Sequence, residues 1–364
     1  MSPTVPRRSD LQELEGYHSP QVSAKVRLNT NESPYAPPER WFIDLAEQVS
    51  KIEPNRYPDR SAWDLRSRLA DLHGVDPQQV FCANGSNEVL QCLLLAYGGH
   101  ERKSLLFEPT YSLHSHISRI TGTEVVSGAR DEEFSIDPND AVELVSAVNP
   151  VLTFLCSPNN PTGGAEPLDL VALLLEKSPG LVVVDEAYGQ FSPGSALELH
   201  DALELREEGL QSLERLVVVR TFSKTWSLAA ARLGYMVAEP EVVAACEHVA
   251  LPYHLSAYAQ AAGVLALRYT DQMEEKVALI TEERKRIAAA LEGLPVRAWH
   301  SDANFILFRP LERGADDLWQ ALLDRSVLIR NCSSWAGLEG CLRVSVGTPE
   351  ENDQFLEAME VCCR

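Results

Sequence analysis

Five apolar runs in the sequence are each followed directly by residues that could do chemistry. The runs are rich in β-branched and aliphatic residues, as strands buried on both faces are. Ligands of open α/β sheets bind beyond the carboxyl ends of such strands. The residues are Gly85, Ser86 and Asn87 after run 80–83, Tyr111 after run 104–107, Asn160 after run 151–156, Asp185 and Tyr188 after run 181–184, and Ser223 and Lys224 after run 216–219.

Each of these residue types suits one part of a single cofactor. A lysine at a strand end in a cleft can have a lowered pKa and act as an amine nucleophile. Gly85 and Ser86 open a predicted helix, whose N-terminus is a seat for phosphate. Asp185 could hold a protonated ring nitrogen, and a tyrosine could stack on the ring. The set predicts pyridoxal 5′-phosphate (PLP), which has an aldehyde, a phosphate and a pyridine nitrogen.

Taken singly, these residues have ordinary explanations. A strand-end lysine is usually a solvated surface residue, and Asp185 could cap the next turn. The segment 160–163 could be a simple turn, and Tyr111 could be core packing. Their convergence on one sheet edge favours the cofactor site. A metal site built on His114 and His116, which lie two residues apart, is not favoured because no third ligand is in register.

The predicted helices and strands around these residues form an α/β pattern. Apolar runs alternate with amphipathic stretches over about residues 60–240, which predicts a mostly parallel sheet covered by helices. A long helix is expected over 256–291. Spaced strands at 304–308, 327–330 and 342–346 then indicate α+β structure. We therefore expect an N-terminal arm (1–40), a large α/β domain (41–250) and a small α+β domain (251–364), joined by part of the arm.

Two helix boundaries can be predicted from capping residues. Ser61 is expected to cap a helix over 62–73, with Gly74 as its stop. The last helix should begin at Thr348, with proline in its first position and Glu351 in its third. The segment 1–40 is polar, rich in proline and poorly periodic.

Composition excludes several classes of protein. The chain has 364 residues and a formal net charge of −21, from 32 basic and 53 acidic residues. Nucleic acids and anionic membranes demand a basic surface, so neither is an expected partner. We find no apolar run of about 18 residues and no signal-peptide pattern. The eight cysteines contain no CxxC pair, which predicts reduced thiols in a cytoplasmic protein.

Eight motifs along the chain carry a family resemblance. The sequence resembles the fold-type-I PLP-dependent aminotransferases, over about residues 15–360, and within them the histidinol-phosphate branch. The fourth, fifth and sixth motifs are specific for the superfamily, and the first, second, seventh and eighth point to the branch. The motifs are LNTNESP (28–34), RYPD (56–59), ANGSNE (83–88), CSPNNPTG (156–163), VVDEAY (183–188), RTFSK (220–224) with Arg232, SDANFIL (301–307) and CLRVSVGTPEEND (341–353).

The resemblance implies roles around the cofactor ring. Lys224 would bind the cofactor covalently and then carry the proton between the substrate Cα and the cofactor C4′. Asp185 would keep the pyridine nitrogen protonated. Asn160 and Tyr188 would hydrogen-bond the phenolic oxygen, and Tyr111 would stack on the ring.

The resemblance also implies a phosphate seat shared between subunits. Gly85, Ser86, Asn87, Ser223 and Arg232 would hold the cofactor phosphate. Tyr57 resembles the residue that reaches the phosphate of the other subunit, which implies a homodimer with shared sites.

The resemblance also implies four residues that contact the substrate. Arg330 and Arg343 would face the anionic end of the substrate, and Tyr17 and Asn31 would also contact it. The implied reaction converts L-histidinol phosphate and 2-oxoglutarate to imidazole acetol phosphate and L-glutamate in histidine biosynthesis. The alternatives are an aromatic amino acid aminotransferase, a PLP-dependent decarboxylase of a phosphorylated amino acid, and a non-catalytic PLP-binding regulatory domain.

Two positions differ from the family pattern or vary within it. Ala230 stands where the family is expected to have glycine, at a position that casts no doubt on cofactor binding. Trp335 lies in a variable loop and is a candidate for tuning the substrate pocket.

Overall fold

The computed structural model describes residues 5, 8–11, 22–199 and 213–363. Tyr17, one of the residues expected on the substrate side, lies outside the described residues. The described chain forms two β-sheets with helices packed against them.

The larger sheet has seven strands in the order β2-β8-β7-β6-β5-β3-β4. Within the described residues, β8 runs antiparallel to both of its neighbours, and the other strands are parallel to one another. This confirms the predicted mostly parallel sheet. The strands are β2 (Val80–Ala83), β3 (Lys103–Glu108), β4 (Glu124–Ala129), β5 (Leu152–Cys156), β6 (Leu181–Asp185), β7 (Leu216–Thr221) and β8 (Gly234–Ala238).

Both faces of this sheet are buried. On β6, Val183 packs into one apolar cluster, whereas Val182 and Val184 pack into another on the opposite face. The five apolar runs identified in the sequence therefore have no polar alternation because neither face meets water.

Eleven α-helices lie in the described part of the chain. They cover the sheets and connect their strands. They are α1 (Glu39–Val49), α2 (Trp63–His73), α3 (Ser86–Tyr97), α4 (Ser112–Ile120), α5 (Pro138–Val148), α6 (Leu168–Lys177), α7 (Pro240–Val249), α8 (Ala257–Ala266), α9 (Thr270–Glu292), α10 (Ala315–Asp324) and α11 (Pro349–Cys362). None of the described helices has the length and apolar character needed to cross a membrane.

The smaller sheet has five strands in the order β1-β11-β12-β10-β9. β1 pairs in parallel with β11, and the other pairs are antiparallel. We propose that the two sheets belong to a large and a small domain. Part of the arm belongs to the small domain, because its strand β1 pairs with β11. The strands are β1 (Val26–Leu28), β9 (Val296–Ala298), β10 (Phe305–Pro310), β11 (Val327–Asn331) and β12 (Leu342–Ser345).

The expected capping of α2 by Ser61 is wrong. Ala62 takes the N-cap position with φ 51°, and no side chain of that residue caps the helix. The carboxylate of Asp59 instead accepts the backbone N–H groups of Trp63 (2.7 Å) and Ser61 (3.0 Å). The Asp59 carboxylate, four residues before Trp63, therefore caps the helix in place of the Ser61 side chain. Gly74 ends the helix with φ 66°, as predicted.

The expected single helix over 256–291 is also wrong. A 3-10 turn at Leu267–Tyr269 separates α8 from α9. The tyrosine hydroxyl of Tyr269 donates to Asp44 on α1 (2.8 Å), which fixes the break by a tertiary contact. The predicted start of α11 is confirmed: Thr348 and Glu351 form a capping box, with proline in the first turn.

Candidate active site

A cleft of about 450 Å³ opens where the strands of the large sheet end. Its lining combines residues that follow β2, β3, β5, β6 and β7 with residues from the arm and the small sheet. The predicted site residues that line it are Asn31, Ser86, Asn87, Tyr111, Asn160, Asp185, Tyr188, Ser223, Lys224, Arg232 and Arg343.

Lys224 follows β7, and its amine reaches into the cleft. The Nζ donates a hydrogen bond to the carbonyl of Thr30 (3.1 Å). The pKa of Lys224 is lowered to about 8, mainly by burial and also by the positive charges of Arg343 and Arg232, while the carboxylate of Glu32 opposes them. An appreciable fraction of this amine is therefore neutral near pH 7, as a nucleophile must be.

Asp185 ends β6 and is almost fully buried. Its Oδ1 accepts the backbone N–H of Ala187 (3.1 Å), and its Oδ2 lies 2.9 Å from Nε2 of His114. A carboxylate can only accept, so the imidazole N–H donates to it. The ring of His114 stacks on Phe154, with centroids 5.1 Å apart. Asp185 is thus fixed from two sides.

The contact between His114 and Asp185 was not predicted from the sequence. His114 and His116 are two residues apart, a spacing typical of a strand, but both lie on α4. The buried face of α4 combines His114 with Ser115, Ile117 and Ser118, so no apolar periodicity marks it in the sequence.

The N-terminus of α3 forms a close-packed cradle. Gly85 has φ 84°, and a Cβ there would lie 2.9 Å from Nη2 of Arg232. A Cβ on Gly234 would lie 2.2 Å from the backbone nitrogen of Ser86. Ser223 also lines the cleft here, with its hydroxyl 3.0 Å from that of Thr221. A helix N-terminus, two hydroxyls and a guanidinium together suit a phosphate dianion.

Tyr111 lines the cleft next to this cradle. Its hydroxyl donates to Oδ1 of Asn87 (3.2 Å). Its ring meets that of His114 edge to face, with centroids 5.4 Å apart. These contacts orient an aromatic surface that can stack on a planar ligand.

Asn31 holds Tyr188 in place. The amide Nδ2 of Asn31 donates to the hydroxyl of Tyr188 (3.0 Å), and its Oδ1 accepts from the hydroxyl of Ser345 (2.8 Å). Burial raises the pKa of Tyr188, so the phenol stays protonated. The structure thus gives Asn31, expected on the substrate side, an additional contact with a cofactor-side residue.

Arg343 bridges the small sheet and the large sheet. Its Nη1 donates to Oδ1 of Asn160 (2.5 Å) and its Nη2 to the carbonyl of Asn29 (2.9 Å), while its buried Nε has no partner among the described residues. Arg330 lies opposite Arg343 in the β11–β12 register. Its guanidinium lies 5.3 Å from the ring centroid of Trp335, which lines the cleft.

Three further predicted residues are not among those that line the cleft of this chain: Gly85, which lies in the cradle at the start of α3, Arg330 and Tyr57. Arg330 stands one strand away, as described above, and Tyr57 is 81% exposed on the surface. The ring of Tyr57 stacks on that of Tyr253, with centroids 4.5 Å apart. The cleft also contains Thr30 and Glu32, which belong to the LNTNESP motif but were assigned no role from the sequence.

The residues present fit PLP. The cradle around Gly85 suits the phosphate, Lys224 the aldehyde and Asp185 the ring nitrogen, while Asn160 and Tyr188 offer hydrogen-bonding groups near them. The phosphate, the aldehyde and the ring nitrogen are the functional groups through which such a cofactor binds a protein.

A family comparison defines the class of the protein. The model for class I and II aminotransferases matches residues 23–359. The chain therefore belongs to the class I and II aminotransferases, and it is an enzyme that uses PLP.

Curated relatives define the branch. The histidinol-phosphate aminotransferase of Corynebacterium glutamicum is 42% identical over 362 residues, which cover 97% of this chain and 95% of the relative. That of Thermobifida fusca is 45% identical over 363 residues, which cover 98% and 95%. The chain is thus a member of the histidinol-phosphate aminotransferase family.

Solved structures agree on the fold. The histidinol-phosphate aminotransferase of Sinorhizobium meliloti in complex with pyridoxal-5′-phosphate superposes with a TM-score of 0.87, at 22% identity and with 100% and 99% of the two chains covered. The L-threonine-O-3-phosphate decarboxylase of Porphyromonas gingivalis gives 0.78, at 24% identity and with 92% and 98% covered. The fold is therefore shared by enzymes of different reaction types, and the substrate must be argued from the site.

Proposed function

We propose that this enzyme transfers the amino group of L-histidinol phosphate to 2-oxoglutarate, giving imidazole acetol phosphate and L-glutamate in histidine biosynthesis. The observation that carries the proposal is that one cleft contains both the guanidinium of Arg343 and the amine of Lys224, whose pKa is lowered to about 8. The guanidinium can bind a phosphate or a carboxylate in bidentate fashion. Identity of 42–45% to curated relatives with this activity in their names supports the substrate.

The cofactor supplies an aldehyde for the amino group and a ring that withdraws electrons from the substrate Cα. Lys224 is the base we assign to the proton on that Cα, because its amine is buried in the cleft and has a lowered pKa. Asp185, held in place by His114, would keep a proton on the ring nitrogen of the bound cofactor. Arg343 orients the substrate through its anionic group.

We also propose that the active unit is a homodimer. Tyr57 and Tyr253 form an exposed aromatic pair. Leu251, two residues before Tyr253 in the chain, is also exposed. Exposed apolar surface that is contiguous is typical of protein interfaces. A second copy that packs against the tyrosine pair could receive Tyr57 at its cofactor phosphate.

The eight cysteines support a cytoplasmic location, which we also propose. All are free thiols, and seven of them are buried. This is the usual state in a reducing compartment.

An assay of amino donors tests the substrate. We expect kcat/KM for L-histidinol phosphate, with 2-oxoglutarate as acceptor, to exceed that for L-phenylalanine by at least about a hundredfold. The reason is that the buried guanidinium binds the phosphate by charge-assisted hydrogen bonds. Comparable values would contradict the proposed substrate and assign an aromatic aminotransferase. Release of carbon dioxide without amino transfer would assign a decarboxylase instead.

A further inference from the structure

The segment 29–32 forms part of the cleft wall and is held by hydrogen bonds along its backbone. Its partners come from the small sheet, from the adjoining loop and from the reactive lysine. The bonds are Arg343 Nη2 to the Asn29 carbonyl (2.9 Å), Lys224 Nζ to the Thr30 carbonyl (3.1 Å), Asn31 N–H to the Ser345 hydroxyl (2.9 Å) and Asn304 Nδ2 to the Asn31 carbonyl (3.1 Å). The position of the next residue, Glu32, is therefore well defined.

Glu32 lines the cleft with a carboxylate that is only partly used. Asn31 has φ 54°, a left-handed conformation that asparagine tolerates better than most residues. The Glu32 side chain that follows accepts one hydrogen bond, from the hydroxyl of Thr30 (2.8 Å). No cation among the described residues lies within ion-pair distance of it. Two carboxylate oxygens offer about four acceptor sites, so most of its capacity remains open.

The other charged groups of the cleft are engaged or positive. Asp185 accepts a hydrogen bond from His114. Arg232 and Arg343 are guanidinium cations, and Lys224 is the reactive amine. Lys224 donates to the carbonyl of Thr30, two residues before Glu32 (3.1 Å), and both Lys224 and Glu32 line the cleft. The carboxylate therefore lies in the same part of the cleft as the amine, and its charge raises the pKa of Lys224 against the effect of burial.

The two amino donors of the proposed reaction differ in the group that would meet this carboxylate. Each has an anionic group on one branch of Cα, a phosphate ester in histidinol phosphate and a carboxylate in glutamate. The side chain on the other branch is an imidazole with an N–H donor in the first and a second carboxylate in the other. A carboxylate on the protein attracts the imidazole and repels the second carboxylate.

We propose that Glu32 is a specificity-determining residue whose carboxylate accepts the imidazole N–H of histidinol phosphate. This assignment rests on the proposed function. Glu32 also acts against the side-chain carboxylate of glutamate, so its removal affects the two half-reactions in opposite directions.

The test is Glu32→Gln, which keeps the shape of the side chain and removes its charge. We expect kcat/KM for the histidinol phosphate half-reaction to fall roughly tenfold or more, while that for the glutamate half-reaction stays unchanged or rises. Glu39→Gln is the matched control, because Glu39 is an exposed glutamate at the start of α1 that does not line the cleft. It should leave both half-reactions unchanged.

The outcomes separate the inference from the function. A wild-type enzyme that does not react with histidinol phosphate overturns both. If the wild type reacts and Glu32→Gln lowers both half-reactions equally, Glu32 acts only through Lys224 and its role in specificity is overturned. An unchanged ratio of the two kcat/KM values would have the same consequence.

Discussion

His114 is the side chain that holds the Asp185 carboxylate in place. Its Nε2–H···Oδ2 hydrogen bond is buried, and its Nδ1 has no partner among the described residues. This donor and the backbone N–H of Ala187 supply a hydrogen bond to each carboxylate oxygen of Asp185.

Substitution His114→Phe should keep the packing on Phe154 and remove the donor to Asp185. We expect kcat to fall about 10- to 100-fold, because the buried Oδ2 of Asp185 loses its hydrogen-bond donor and the carboxylate is no longer held in place. Steady-state kinetics would measure this. His116→Phe, on the same helix but half-buried, is the control. A variant of His114 with wild-type kcat would show that the donor is dispensable.

The site residues that follow strands are the ones that could be predicted best from the sequence. Asn160, Asp185 and Lys224 could be predicted because each directly follows an apolar run and the ends of parallel strands meet. Their partners could not. His114 and Glu32 reach the same place through helix packing and through the path of the arm, and neither leaves a periodic pattern.

At the scale of elements, a buried ion pair joins the ends of β6 and β7. Arg220 donates to Oε2 of Glu186 through Nε (3.1 Å) and Nη2 (2.8 Å). The hydroxyl of Ser195 bonds to the same carboxylate (2.8 Å), which also accepts the backbone N–H of Ala196 (2.6 Å). This network fixes the segment that contains Asp185 and Tyr188 relative to the one that contains Lys224.

Breaking this pair should destabilise the fold. Glu186 is 2% exposed, so Glu186→Ala leaves the Arg220 charge buried without its partner and should lower the free energy of unfolding by about 3–5 kcal/mol. Chemical denaturation of the apoenzyme would measure it. Glu176→Ala removes an exposed glutamate paired with Lys177 and should change stability by less than about 1 kcal/mol. Equal effects of the two substitutions would contradict the assignment.

Most of the central sheet could be predicted from the sequence, but its edges and irregular joins could not. Val26–Leu28 (β1) is too short for periodicity and is a strand because it pairs with β11. Residues 124–129 (β4) form an edge strand of mixed burial, which lacks the continuous apolar run of the inner strands. Ala62 at the N-cap of α2 depends on the Asp59 carboxylate, a contact that composition does not reveal.

At the scale of the molecule, the net charge of −21 coexists with a positive site. Arg232 and Arg343 line the cleft and Arg330 lies one strand away, so the local field there favours anions within an acidic body. The global charge argues against polyanionic partners, and the local field selects small anionic substrates and cofactors.

The proposed dimer predicts a loss of cofactor on substitution of an exposed tyrosine. Tyr57→Phe should retain the stacking on Tyr253 but lose the hydroxyl offered to the partner's cofactor phosphate, and we expect PLP to dissociate about tenfold faster. Dialysis with absorbance detection would follow this, and light scattering would give the oligomeric state. Tyr253→Phe, which also keeps the ring pair, is the control. A fully active monomer would refute the shared site.

Lys224 is the residue to which we propose that PLP binds covalently. Reduction of the purified holoenzyme with borohydride, followed by peptide mass spectrometry, tests it directly, because the reduced adduct survives digestion. We predict the phosphopyridoxyl mass on the peptide that contains Lys224 and its loss in Lys224→Ala. Adduct on another lysine, or a wild-type protein that binds no PLP, would contradict the account.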